Sequence, residues 1–352
     1  NNMNGGHIKM YSKKLLAIFT CIIIAVVATY LGGLQKIVGA PMLGLLIGMI
    51  IVNFIPSLDD DFKAGTSFAG KKFLNLGIVL TGATLNFTQV LGYGAKAMPL
   101  LLLNMGIAFL VASFVGKKLG LTSNTSTLVA SGTSICGGTA IATTASIIKA
   151  KESEIAYAMA AIFLFDILAA LMYPYLAGAL NLTVNQFGFL AGAAINDTSS
   201  VVASEATYSL LNGIESNLAI TIKLARTTLL ILIVVIFTIL TVRQESKSGN
   251  SKEKVSMGQA IVKSFPKFII VFLVMAVLNT LGLFNGIDGA SSFFSKASKF
   301  FISTALAGVG FKIKFKELLT KGLKPVILGG FAWFAVAAFT LIFINVFAGY
   351  IG

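Results

Sequence analysis

Eleven apolar runs, at about 15–31, 41–55, 72–86, 97–116, 125–148, 154–180, 186–208, 217–241, 260–281, 294–311 and 325–348, take up most of this chain and leave short polar segments between them. A spanning helix needs about 20 apolar residues, so the runs predict an all-α polytopic membrane protein of about 9 to 11 transmembrane helices. Residues 1–352 then form a single integral membrane domain with approximate halves 15–180 and 186–348, and no length remains for a soluble domain. The 56% hydrophobic and 11% charged content excludes an ordinary water-soluble fold. Lys9, Lys13 and Lys14 precede the first run as in a secretory leader, but Gly32-Gly33-Leu34-Gln35 is a poor cleavage site. A retained first helix is expected.

The net charge of +14 would suit a nucleic-acid partner if it were clustered on one surface. It follows the loops instead. With the N-terminus inside, alternating the loops gathers seventeen Lys and Arg residues between Lys9 and Lys324 on one side and leaves Lys36, Lys96, Lys149 and Lys151 on the other. That bias predicts a cytoplasmic N-terminus and no nucleic-acid partner. The longest polar stretch, Arg243–Met257, reads as a flexible cytoplasmic loop between the halves. His7 is the only histidine, which removes His-built metal sites and His-based nucleophilic catalysis; no cofactor and no enzyme activity are expected. Cys21 and Cys136 both sit in apolar runs, so a disulfide framework is excluded.

Gly82, Phe87, Gly94 and Lys96 match Gly310, Phe315, Gly322 and Lys324 at a constant offset of 228 (310 − 82). An odd number of crossings separates the two sets, so they predict inverted-topology repeats, with similar membrane-edge turns as the plain alternative. Two further segments are too polar for lipid-facing helices. In Ser131-Gly-Thr-Ser-Ile-Cys-Gly-Gly-Thr-Ala140, Gly137-Gly138 predicts a break with a restart at Thr139. A break at membrane depth frees backbone polar groups that only protein or a wet cavity can satisfy. The restarting half-helix aims a positive end at that cavity, which suits an anion. In Gly192-Ala-Ala-Ile-Asn-Asp-Thr-Ser-Ser-Val201, Asn196, Asp197, Thr198 and Ser199 cluster between apolar arms, and Gly132 and Ile135 align with Gly192 and Ile195 at an offset of 60 (192 − 132). Small-residue helix packing is the alternative for both segments. Each is read either as a full crossing, giving eleven spans, or as a re-entrant hairpin, giving nine spans and two hairpins, with the charge count favouring hairpins.

Asp166, Asp197, Glu205, Lys223 and Arg226 fall inside apolar runs, where each charge costs about 2.5–3.5 kcal/mol and must pair or line a wet path. Lys223 and Arg226, three apart, share one helix face. Lys263, Lys267, Lys296 and Lys299 lie nearer span ends and are expected to snorkel to the headgroups. The expected substrate-binding set is Ser134, Cys136, Gly137, Gly138, Thr139, Asn196, Thr198, Ser199, Lys223 and Arg226. The expected coupling-ion set is Asp197, Asp166 and Glu205, with Asp166 also readable as a simple counter-ion.

The runs Ser134-Ile-Cys-Gly-Gly-Thr-Ala-Ile141 and Gly192–Val202, the Lys223-Leu-Ala-Arg226 step and the Gly308-Val-Gly-Phe-Lys312 turn resemble the YeiH-type (UPF0324) family of bacterial membrane proteins, often called sulfate exporters. The resemblance runs from about Leu15 to Phe347. It implies membership of the cation/proton antiporter and anion transporter superfamily, a core of discontinuous helices moving against a scaffold, and a homodimer. Many family members carry His-Glu where this chain has Asn196-Asp197, and Ala-Ser where it has Gly138-Thr139, so a proton-coupling role built on that histidine does not carry over. The expectation is a secondary active transporter, such as an exporter, of sulfate, a sulfonate or a carboxylate, coupled to Na⁺ or H⁺. The alternatives are an anion channel, a non-transporting membrane scaffold and, least favoured, an aspartyl protease built on Asp166 and Asp197.

Overall fold

The computed structural model describes residues 2–34, 39–85, 91–214, 216–247, 267–284, 286–311 and 314–352. Its helices are α1 (Asn2–Leu34), α2 (Ala40–Phe54), α3 (Leu58–Phe68), α4 (Leu74–Gly82), α5 (Tyr93–Lys118), α6 (Ser123–Ser134), α7 (Gly138–Ile148), α8 (Glu152–Ala179), α9 (Val184–Ala194), α10 (Thr198–Asn212), α11 (Leu218–Thr228), α12 (Leu230–Lys247), α13 (Lys267–Thr280), α14 (Ala290–Gly310), α15 (Phe315–Lys321), α16 (Leu323–Val346) and α17 (Ala348–Ile351). A π-helical turn, Ala69–Phe73, joins α3 to α4 in one rod. No strand occurs among the described residues. Ser12–Leu34, Tyr93–Lys118, Glu152–Ala179, Leu218–Gln244 and Leu323–Val346 are each long and apolar enough to cross a bilayer.

The choice between broken crossings and re-entrant hairpins is settled by what lies at the helix ends. α6 and α7 have 12 and 11 residues, about 18 and 16 Å, or half a bilayer each. If they formed one crossing, the start of α6 and the start of α8 would stand on opposite faces. Instead the Thr122 hydroxyl donates to Glu154 Oε1 at 2.6 Å and Asn124 Nδ2 to Oε2 at 3.3 Å. Glu154 also receives the Lys151 amide at 2.8 Å, closing the first turn of α8. Helices α6 and α7 therefore enter and leave by one face. The second pair behaves likewise: Tyr208, late in α10, stacks on Phe187, early in α9, at 3.9 Å, and its hydroxyl donates to the Leu182 carbonyl at 3.3 Å.

The two hairpins enter from opposite faces. Helix α11 runs alongside α9, Gly188 against Leu218 and Gly192 against Ala219 and Ile222, and its continuation α12 packs on α7. The α11–α12 rod thus passes both hairpins in turn, with their tips meeting beside its middle. Lys117, Lys118, Lys149, Lys151, Arg243, Lys321 and Lys324 share the face at which α6 and α7 begin and end. Among the described residues the main rods outside the two hairpins are α1, α2, α3–α4, α5, α8, α11–α12, α13, α14 and α16, nine in all, of which α1, α5, α8, α11–α12 and α16 contain the five long apolar spans.

Close helix approach comes from small residues. A Cβ on Gly44 of α2 would stand 2.7 Å from the Ser303 carbonyl of α14, and one on Gly192 would stand 2.6 Å from the Ala219 carbonyl. Asn104 of α5 donates to the Thr340 hydroxyl of α16 at 2.9 Å, a buried polar link between two long spans. Gly82 and Gly310 close α4 and α14, which run antiparallel, since Gly77 faces Ile302 and Thr81 bonds Ser298. Opposite directions are what the inverted repeat requires; Phe87, one of its four positions, lies outside the described residues. The Arg243–Met257 loop needs correction at its start: Arg243–Lys247 continue α12, because Gln, Glu and Lys are good helix formers on a solvated end. Residues 248–257 lie outside the described residues.

With Cys21 and Cys136 replaced, cysteines placed singly at Ser123, Lys151 and Arg243 should all react with an impermeant thiol reagent from one face, and those at Leu180 and Asn212 from the other. Labelling of Ser123→Cys and Lys151→Cys from opposite faces would contradict the hairpin. Gly192→Val should force α9 from α11 and lower thermal stability by about 1–3 kcal/mol, read by unfolding in detergent.

Candidate functional site

The first tip is made by Ile135, Cys136 and Gly137. Gly137 adopts φ 65°, ψ −116°, backbone space that a Cβ makes costly by about 1–3 kcal/mol. Its amide returns to the Gly132 carbonyl at 3.0 Å. The second tip is Ile195–Asp197, between α9 and α10, where Ile195 is extended. Four half-helix ends therefore meet deep in the bundle. Two are C-terminal and carry partial negative charge on unused carbonyls, and two are N-terminal and carry partial positive charge.

The C-terminal ends are closed by the two cations of α11. Lys223 Nζ donates to the Ile135 carbonyl and, at 3.3 Å, to the Ile195 carbonyl. Arg226 Nε donates to Ser134 O at 2.9 Å and Nη1 to Ile195 O at 2.8 Å, while Nη2 reaches Thr133 O and, at 3.1 Å, Asn196 Oδ1. Both side chains are 0% exposed. One lysine and one arginine thus bind the two tips together: they share the Ile195 carbonyl, while Ile135, its counterpart at the 60-residue offset, accepts from Lys223.

The N-terminal ends are treated unequally. Asp166, from the middle of α8 and buried, accepts the amides of Asn196 at 2.5 Å and Asp197 at 3.0 Å. Asp197 brings a second carboxylate to the start of α10, its oxygens 3.7 and 3.9 Å from where a Cβ on Gly39 would stand at the start of α2. Helix α7 has no acidic residue in its first turn. The Cys136 sulfur meets the Ala140 amide there, and the rest of that positive end faces the space in front of it.

That space is a cavity of about 280 Å³. Cys136 and Thr139 line it from the first hairpin, Asp197 and Thr198 from the second, and Leu224 and Thr227 from α11. The facing wall is Thr81, Thr84 and Leu85 at the end of α4, with Ser291, Ser295, Ser298 and Lys299 along α14. Thr81 and Ser298 share a hydrogen bond of 2.6 Å, and Ser298 donates to the Gly77 carbonyl at 2.9 Å. Because α14 starts on the face opposite the lysine-rich one, the cavity runs from that face down to the tips.

Of the residues singled out in the sequence, Cys136, Thr139, Asp197 and Thr198 reach the cavity. Ser134, Gly137, Gly138 and Asn196 build the tips behind it, and Ser199 lies in the first turn of α10. Lys223 and Arg226 do not line the cavity; their donors are turned to the tip carbonyls, because in a dry interior those acceptors must be met. Glu205, named in the expected coupling set, does not line this cavity. It caps α11, accepting from Ala219 N at 2.9 Å, Ile220 N at 3.2 Å and the Ser216 hydroxyl at 3.0 Å. Lys299, expected at the headgroups, stands midway along α14 on the cavity wall. The spacing of Ser291, Ser295 and Ser298, at i, i+4 and i+7, was the available sign that this helix turns a polar face inward.

Nine helical rods, five of them long and apolar enough to span, around two half-length hairpins with buried charges at their tips define a polytopic α-helical membrane protein with an internal polar site. The chain belongs to the family described as conserved hypothetical protein 698, whose family model matches residues 16–329. It is 39% identical over 334 residues to a UPF0324 membrane protein of Streptococcus pyogenes serotype M3, covering 94% of this chain and 96% of that protein. Similar proteins of Streptococcus pneumoniae serotype 4 and Fusobacterium nucleatum are 37% identical over 336 residues and 32% over 341, covering 94% and 93% of this chain and 96% of each relative. No solved structure matches the chain.

Arg226→Ala would leave the carbonyls of Thr133, Ser134 and Ile195 and the Asn196 amide oxygen short of a donor, at about 1–3 kcal/mol for each acceptor not rescued by Lys223 or water. A large drop in melting temperature in detergent is expected. Arg226→Lys should recover only part of it, because an ammonium cannot reproduce the guanidinium fork.

Proposed function

We propose that the protein is a secondary active transporter of a small anion such as sulfate, a sulfonate or a carboxylate, coupled to Na⁺ or H⁺ and working by alternating access around its two hairpins. The observation that carries this reading is the cavity ending on both hairpin tips, with one positive helix end lacking an acidic residue in its first turn and the other covered by carboxylates. The start of α7, with the hydroxyls of Thr139, Thr84 and Ser295, suits the acceptor oxygens of an anion. Asp197 and the polar backbone around it suit a coupling cation. Lys223 and Arg226 then act as positioning residues that keep the tips assembled, in place of the direct substrate contact expected from the sequence.

The packing supports relative motion. Helix α14 packs on α1, α2 and α4, whereas α5 packs on α6, α11 and α16. The cavity lies on the seam between these groups, which Ser146 of α7 crosses to reach Asn75 Oδ1 of α4 at 3.1 Å. Sliding one group past the other would move the tips relative to α14 without unpacking either. The positive-inside bias puts the N-terminus and the lysine-rich face in the cytoplasm of a bacterial inner membrane, so the cavity is open outward. A channel fits less well, since the lining residues stop at tips sealed by two buried cations. No cofactor, nucleic acid or catalytic role is assigned, and the homodimer rests on the family resemblance.

Purified protein should be stabilised against heat by at least one of sulfate, methanesulfonate, phosphate and acetate. The response should change when Na⁺ replaces choline or when pH is varied. Asp197→Asn should remove the Na⁺ or pH dependence while leaving the protein folded. Absence of any anion response in the wild type, or single-channel currents far above carrier turnover, would defeat the transporter reading.

A further inference from the structure

The cavity wall opposite the tips holds a cation for which neither the tips nor the fold has a use. Lys299 lies on α14 one residue after Ser298, on the face marked by Ser291, Ser295 and Ser298. Its side chain is exposed to the cavity and makes no ion pair among the described residues, in contrast to Lys223 and Arg226, whose donors are engaged. An ammonium at membrane depth is expensive unless water or an anion meets it. Lys299 also belongs to the group of helices that does not carry the hairpins, since α14 packs on α1, α2 and α4.

We infer that Lys299 is the electrostatic contact for an anion in the open cavity, and that this contact exists on one side of the transport cycle only. The inference rests on the transporter reading and deepens it. An anion seated against the start of α7 has Cys136 and Thr139 on the hairpin side and Lys299 on the facing wall. Whichever group slides, the anion stays with the hairpin tips, and its distance from α14 changes. Lys299 therefore strengthens binding from the face at which the cavity opens and contributes little once the tips have moved toward the lysine-rich face. A fixed cation on the stationary wall also attracts anions into the cavity while leaving the moving part free of a charge that would have to travel with it.

The test uses the full chain in three forms: wild type, Lys299→Gln and Lys299→Arg. Thermal stabilisation is titrated with sulfate, methanesulfonate, phosphate and acetate at constant ionic strength. Whichever of these stabilises the wild type is then followed as a radiolabelled flux into right-side-out and inside-out vesicles. Lys299→Gln should raise the half-saturating concentration about ten- to a hundred-fold at the cavity-open face. It should change the value at the lysine-rich face less than about two-fold. Lys299→Arg should stay close to wild type, because it keeps the charge. A wild-type response that Lys299→Gln leaves unaltered overturns the inference and spares the transporter reading. An equal loss at both faces overturns the one-sided contact. A wild type indifferent to all four anions overturns both. Unaltered melting of the ligand-free Lys299→Gln protein, expected for a side chain on a cavity wall, separates these outcomes from misfolding.

Discussion

Backbone carbonyls at the end of an interrupted helix cannot be left unmet inside a bilayer, and the structure is arranged around that requirement. Two chains of half-helices end in mid-bundle at Ser134 and Ala194, and water, which would meet their carbonyls at a surface, is excluded from the dry side of the tips. Lys223 and Arg226 take that place. Each reaches carbonyls from both hairpins, so the same side chains that satisfy the helix ends also join them. The cost of burying two cations three residues apart is offset by the negative ends of two helices and by the carboxylates of Asp166 and Asp197 nearby.

Closing the negative ends leaves the positive ones to define the cavity. Asp166 and Asp197 cover the start of α10, whereas the first turn of α7 has no acidic residue. The asymmetry divides one cavity into a part that favours anions and a part that favours cations, a few residues apart. For the proposed carrier, such a site would hold a small anion and a coupling cation together without a permanent net charge in the membrane.

The seam between the two helix groups gives the cavity its mechanical setting. The tips belong to one side of the seam, and the serine face of α14 to the other. Small residues let helices within each group approach to backbone contact, as Gly44 does against Ser303 and Gly192 against Ala219. The joint across the seam includes a side-chain hydrogen bond, Ser146 to Asn75, of a kind that can exchange partners at modest cost.

Much of this was legible in the sequence. Apolar run length determined an all-α membrane fold, because lipid admits helices whose backbone bonds are internal. Lysine placement grouped most of the loops that share a face, but simple alternation set Lys149 and Lys151 opposite, and the hairpin returned them to the lysine-rich face. Gly137-Gly138 and Asn196-Asp197 marked the breaks, because a glycine pair weakens a helix and a carboxylate at that depth needs a partner. The sequence could not say whether each broken segment crossed or returned, since both readings bury the same residues; the Thr122–Glu154 bond, between positions 32 apart, decided it. Nor could it separate cations that serve the backbone from a cation that faces the cavity. Lys223, Arg226 and Lys299 are all basic residues in apolar surroundings, and what each does depends on which helix ends and which open space the packing sets in front of it. That is a long-range property, fixed by tertiary structure alone.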